Sequence, residues 1–282
     1  MQTWSGDIFD FHGKPFAIPS VCFVSFRITL EIALSILNSC TAPFSSAGAC
    51  DLVLVKNPDF AHGLGLDVHV RTKIKTWWSH IDTAVVRIGS DTLEVQGGTN
   101  TATYWINGVK HDLPEHDGEL EATIGGNKIL HSNMSKKTKK FRINAARGVW
   151  ISLQTFNDFV RANVRADEKI GNMNGAVGLM GAYPSGKMLD REGELVTDHD
   201  EFGKEWQVRA TEAKLFHSAE GVQHPQECQM PDAASKQSRR LGESLITEEE
   251  AELACSRVPS EHMDNCVFDV LATNDKDMAG SC

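Results

Sequence analysis

The feature that most limits the fold of this chain is a run of short apolar segments between Cys50 and Val164, separated by turn residues. Residues 50–55 are apolar and rich in β-branched side chains. Over residues 66–75 the pattern alternates, with Leu66, Val68, Val70 and Ile74 on one side. Asp67, His69, Arg71, Lys73 and Lys75 fall on the other. A period of two sends successive side chains to opposite faces of a strand. The expectation is a half-buried strand with His69 on its wet face. Residues 84–88 and 92–95 follow, split by Gly89, Ser90 and Asp91. Residues 104–106 lead into Asn107-Gly108 and then Val109. Asn-Gly accepts positive φ at both central positions of a tight hairpin. Residues 120–124, 128–131, 141–144 and 149–153 continue the pattern, with a turn at 145–148. Residues 156–164 fit a strand, and their spacing also allows a helix. Short strands with turns about every 8–12 residues predict an all-β sandwich or barrel.

Composition narrows the class. A chain of 282 residues, 41% hydrophobic and 23% charged, suits one large soluble domain plus a tail, or two small domains. The net charge of −10 argues against a nucleic-acid partner, which needs a basic face. The seven cysteines are Cys22, Cys40, Cys50, Cys228, Cys255, Cys266 and Cys282. None forms Cys-x-x-Cys, so neither a zinc ribbon nor a thioredoxin-like motif is expected. Their wide spacing fits long-range disulfides in an oxidising compartment, with free buried thiols in a cytosolic protein as the alternative. Met1 leads directly into a structural motif rather than a signal peptide, so the true start is expected upstream.

Residues 177–208 read VGLMGAYPSGKMLDREGELVTDHDEFGKEWQV, a Gly- and Pro-bearing loop rather than a regular element. The loop opens on Gly178-Leu179-Met180-Gly181 and closes on Phe202-Gly203-Lys204-Glu205-Trp206. Together with residues 4–13 (WSGDIFDFHG), these motifs resemble the von Willebrand factor type D domain family. That family opens with an aromatic-Asp-Gly hairpin. It closes with Gly-Leu-Cys-Gly, an Asn/Asp-rich loop and a Phe-Gly-x-x-Trp strand. The resemblance covers residues 4 to about 208 and implies a mainly β, antiparallel β-sandwich-like type D domain over 1–208. Residues 209–282 are expected to form a small helical or irregular cysteine-bearing tail. There, Thr247-x-x-Glu250 is a capping box that predicts a helix over 247–257, ending before Pro259.

Residues 14–48 interrupt the family pattern. Joining His12-Gly13 to Ala49-Cys50 restores it, so this stretch is read as an atypical insertion, a translated intron. The alternatives are a genuine helical insertion and a membrane anchor at residues 21–37. That segment is short for a span and carries Arg27 and Glu31 in its middle, which disfavours a membrane.

The resemblance implies a Cys50–Cys228 disulfide; a Cys255–Cys266 bridge is expected in the tail. Cys282, or another unpaired thiol of the odd set, could link chains. Family members often bind Ca²⁺ in the loop, and Asp190 and Asp7 are the candidate ligands here. Ala182 and Pro184 replace the expected Asn and Asp, however, and Ca²⁺ needs six to eight oxygens. Met180 stands where the family's redox cysteine would be, so disulfide exchange does not carry over. Asn133-Met134-Ser135 is a glycosylation sequon, and residues 136–140 (KKTKK) are a basic patch suited to polyanionic glycans. The eleven histidines lack metal-ligand spacing, and neither a dinucleotide loop nor a nucleophile elbow occurs.

The implied function is a non-enzymatic extracellular module for structure, adhesion or protein–protein association. Its partners would be other extracellular proteins, a second copy of itself, or glycans. The rival from another class is a secreted hydrolase or glycan-active enzyme using carboxylates such as Asp190 and Glu192 in a concave site.

Overall fold

The computed structural model describes residues 49–75, 78–98, 101–217, 228, 245–260 and 263–281. The opening hairpin at 4–13, Asp7, the segment 14–48 with Cys22 and Cys40, and Cys282 lie outside the described residues.

The chain is mainly β, in two antiparallel sheets. The first holds β1 (Asp51–Asn57), β2 (Leu66–Lys75), β3 (Trp78–Ile88), β4 (Asp91–Gly98), β5 (Thr101–Ile106) and β6 (Val109–His111), in chain order. The second holds β7 (Gly118–Ile124), β8 (Asn127–Asn133), β9 (Thr138–Ala146), β10 (Val149–Phe156) and β11 (Phe159–Ala166), also as a meander. A single irregular turn, α1 (Phe60–Gly63), joins β1 to β2. Tight turns explain why sequence neighbours become sheet neighbours. Asn107 and Gly108 sit at φ +50° and +77°, the positive-φ pair a two-residue hairpin needs.

The inner faces of the two sheets form one core. Leu52, Val68, Val70, Val86 and Leu93 come from the first sheet, and Ile129, Phe141, Ile143, Ile151 and Leu153 from the second. Burial of each such side chain contributes about 1.5–3 kcal/mol. The stretch 156–164 is not one segment. Phe156 ends β10, Asn157 turns at φ +51°, and Phe159 pairs back onto Phe156.

Two expectations need correction. Strand β2 is buried on both faces over most of its length: Asp67, His69 and Arg71 are 4–5% exposed, and Lys73 points to water. The cause lies far away in sequence. After Trp206 the chain lies against the edge of β1, with Val53 N–H donating to Trp206 O (2.7 Å) and Val208 N–H to Asp51 O (2.8 Å). It then crosses the outer face of the sheet as a strap over residues 209–217. Leu215 and Phe216 pack on Val85 from that side. Second, the Phe-Gly-x-x-Trp segment is not a strand but part of a short helix, α2 (His199–Glu205). Asp198 caps it, its carboxylate accepting from Glu201 N–H at 2.9 Å. Helical spacing then puts Phe202 and Trp206 on one face, both buried.

The tail contains α3 (Glu248–Cys255), α4 (Met263–Thr273) and a 3₁₀ turn (Lys276–Ser281). The capping box forms in both directions between Thr247 and Glu250. The tail has its own apolar cluster, closed against Phe156 and Phe159 of the β10–β11 hairpin. Lys137 Nζ, from the β8–β9 turn, reaches Asp275 and Asp277 at 2.8 Å each.

Candidate functional site

The loop over residues 177–208 is pinned to β1. Val177 and Lys56 exchange backbone hydrogen bonds of 2.9 and 2.7 Å. Leu179 N–H donates to Val53 O and Met180 N–H to Leu54 O, at 3.1 and 3.2 Å. A Cβ on Gly178 (φ +135°) would stand 2.5 Å from Leu54 O. One on Gly181 (φ +77°) would stand 2.3 Å from Gly186 O. Close backbone approach is therefore what both glycines provide.

Farther along, Asp190 turns the chain. Its Oδ1 accepts from the backbone N–H of Glu192 (3.0 Å) and Glu194 (2.7 Å). Glu192 and Glu194 themselves are exposed. The next residue, Arg191, ties the loop to the chain beyond α2. Its Nε donates to Glu205 O (3.0 Å) and one Nη to Gln207 O (2.9 Å). The other Nη donates to Glu212 Oε1, and the guanidinium lies 5.0 Å from the centre of the Trp206 ring. Trp206 Nε1 in turn donates to Leu189 O at 3.0 Å.

Glu212 belongs to the strap and also accepts from Lys56 Nζ (3.2 Å) and Arg209 N–H (3.0 Å). Burial works against its charge, but the Arg191 and Arg209 hydrogen bonds outweigh that and hold its pKa at about 2.

Beneath the strap lies a polar layer, ordered by strand register. Asp51, Arg71 and Thr83 form one row, and Val53, His69, Val85 and Glu94 the next. Lys56, Asp67 and Arg87 form a third. Arg71 grips Asp51 through two hydrogen bonds of 2.7 and 2.9 Å. The Phe216 ring covers that guanidinium at 4.3 Å. Glu94, fully buried, accepts from His217 N–H at 2.6 Å. Arg87 pairs with Asp67. His69 sits among these charges with an unpartnered Nδ1. Burial drives its pKa down to about 4, against the opposing pull of Asp67 and Glu212. This layer ties charges to one another and to backbone groups, and fixes the strap on the sheet.

The structure places the remaining site residues as follows. Cys50 and Cys228 are bridged, as are Cys255 and Cys266, with Cα–Cα separations of 4.8 and 5.9 Å. The Asp190 carboxylate is a turn brace, and Asp7 lies outside the described residues, so the calcium pair is seen at one end only. No cluster of three or more His, Cys, Asp or Glu able to hold a metal occurs among the described residues. Asn133 Nδ2, the atom a glycan would occupy, donates to Pro114 O (3.2 Å) and Glu115 O (3.3 Å). No described helix is long and apolar enough to cross a membrane, and residues 21–37 lie outside the described set.

Arg191 and Glu212 were not legible as a site. Glu212, Glu205 and Gln207 lie 14 to 21 residues from Arg191, beyond any local spacing rule. A scan against protein-family models finds no match for this chain, and a search of curated proteins finds none either.

Proposed function

We propose that this chain is a non-catalytic extracellular module of the von Willebrand type D kind, serving structure, adhesion or protein–protein association. The observation that carries the reading is the Cys50–Cys228 disulfide, which closes a sequence separation of 178 residues. It fastens the edge strand of the first sheet to the chain beyond the strap. The Cys255–Cys266 bridge staples the tail in the same way. Such bridges persist in oxidising compartments and are rare where glutathione keeps thiols reduced. The pinning of Gly178-Leu179-Met180-Gly181 along β1 and the burial of Phe202 and Trp206 give the two family motifs a shared structural role. The carboxylates that a hydrolase would need, Asp190 and Glu192, lie on a tight turn, with one braced by backbone N–H groups and the other exposed. That geometry favours the module reading.

Non-reducing peptide mapping tests it, on the chain secreted from a eukaryotic host behind an added signal peptide. The expected products are linked Cys50–Cys228 and Cys255–Cys266 peptides. Free thiols at Cys50 and Cys228, or Cys50 bridged to Cys22 or Cys40, would overturn the reading.

A further inference from the structure

The outer face of the second sheet carries a cationic grid on an otherwise acidic chain. Strand register sets Lys140, Gln154 and Arg161 in one row across β9, β10 and β11. Arg142, Ser152 and Asn163 form the next row, and Asn144, Trp150 and Arg165 the third. Phe141, Ile143, Ile151, Leu153, Val160 and Val164 are buried, so the residues alternating with them face outward. Arg142, Arg161 and Arg165 are exposed, and Trp150 is 44% exposed. No acid stands among the outward residues of these three rows on β9–β11, although the whole chain carries −10. Acids border these rows: Asp158 precedes β11 and Asp167 and Glu168 follow it, and others lie toward β7. Glu119 is paired with Lys128 at 2.7 Å, the Asp117 carboxylate accepts from Asn133 N–H at 2.6 Å, and Glu121 is exposed.

A depression of about 520 Å³ opens on this face, lined by Asp117, Leu130, Ser132, Met134, Lys140 and Arg142. The grid is not the basic run read from sequence. Lys137 is held by Asp275 and Asp277, and Lys139 Nζ by Ser135 O at 2.9 Å. Of that run, only Lys140 belongs to the grid.

We propose that this face binds a sulfated polysaccharide. Cations in neighbouring positions stand about 7 Å apart along a strand and about 10 Å apart across two strands. They therefore meet anionic groups strung along an extended chain rather than one compact anion. Arg142 and Arg165 each offer a planar fork that pairs with two oxygens of one sulfate. Ser152, Gln154 and Asn163 lie between the cations and can bond sugar hydroxyls. The Trp150 ring gives an apolar face against which a pyranose can stack. An acidic peptide is less suited, because strand addition within the grid is open only at the β11 edge and would leave Lys140 and Arg142 on interior β9 unmet. A long nucleic acid would extend past the grid into the repulsive field of an acidic protein.

The test is calorimetric titration of the full chain with a size-defined, heparin-type sulfated oligosaccharide. Wild type is expected to bind, more weakly as salt rises. Arg142→Gln with Arg165→Gln is expected to weaken binding about tenfold or more, because two charge-assisted forks are lost. Trp150→Ala should weaken it severalfold, and Lys110→Gln, an exposed lysine on β6, should leave it unchanged. Unaltered thermal unfolding of each variant establishes that it is folded. No binding by wild type, equal binding by the double variant, or equal binding of a desulfated oligosaccharide would each overturn the proposal. So would a face that binds only phosphatidylserine vesicles or an acidic peptide. The disulfide map is unaffected by any of these results, so this inference can fail while the module reading stands.

Discussion

Single residues set the tolerances of this fold. Gly178 runs so close to Leu54 that a methyl group would meet a backbone carbonyl. Gly178→Ala is expected to destabilise by about 1–3 kcal/mol, the scale of strain at a forbidden backbone site, and the urea midpoint measures it. An unchanged midpoint would mean that the loop does not lie along β1. Two titrating groups predict an acid sensitivity with a definite shape. His69 has a folded pKa near 4, below its ordinary 6.5. Its neutral form is favoured by folding, so stability is full above pH 6.5 and falls as pH drops toward 4. Glu212 has a folded value near 2, below 4.5. Its contribution is present above 4.5 and is lost toward 2. His69 is worth up to about 3 kcal/mol over its window by proton linkage. His69→Gln should flatten unfolding free energy against pH in the upper window, and Glu212→Gln in the lower one. Slopes that survive both substitutions would assign the sensitivity elsewhere.

Among elements, the strap decides the state of the first sheet. It turns a face that alternation would give to water into a buried polar layer. Truncating its anchor, Phe216→Ala, is expected to cost about 3 kcal/mol and to let water reach the polar layer. The His69 imidazole should then titrate closer to 6.5, which proton NMR of its ring hydrogens would report. A titration still centred near 4 would show that the strap is not what buries it. The Cys50–Cys228 bridge ties the start of β1 to the chain beyond the strap. Its removal by Cys228→Ser should lower stability by roughly 2–5 kcal/mol, since a long loop is released in the unfolded chain. The strand that the resemblance implied at 202–206 failed for a local reason. Asp198 three residues before Glu201 is a helix start, and the loop around it hid that signal.

In the whole molecule, the two sheets share one apolar core while the tail keeps its own, joined through Phe156 and Phe159. Two cooperative units are therefore expected. Calorimetry of the oxidised chain should resolve a large transition and a smaller one, and the double variant Cys255→Ser, Cys266→Ser should move only the smaller. A single transition shifted as a whole by that variant would show that the tail and sandwich unfold together.

The sequence alone determined most of the strands and the Asn107-Gly108 hairpin, while the Asn157 turn lay inside a stretch read as one segment. Alternation and positive-φ turn residues act over a few positions, and a meander asks for nothing more. It also determined the α3 capping box, which spans only residues 247–250. Which face of the first sheet meets water was decided by tertiary structure. Residues 209–217 return over this face from more than a hundred positions away, and period two cannot encode what covers the second face. The same holds for the Arg191–Glu212 tie and for the cationic grid. The grid's charges are scattered over β9 and β11, and only the pairing of those strands through β10 brings them onto one surface.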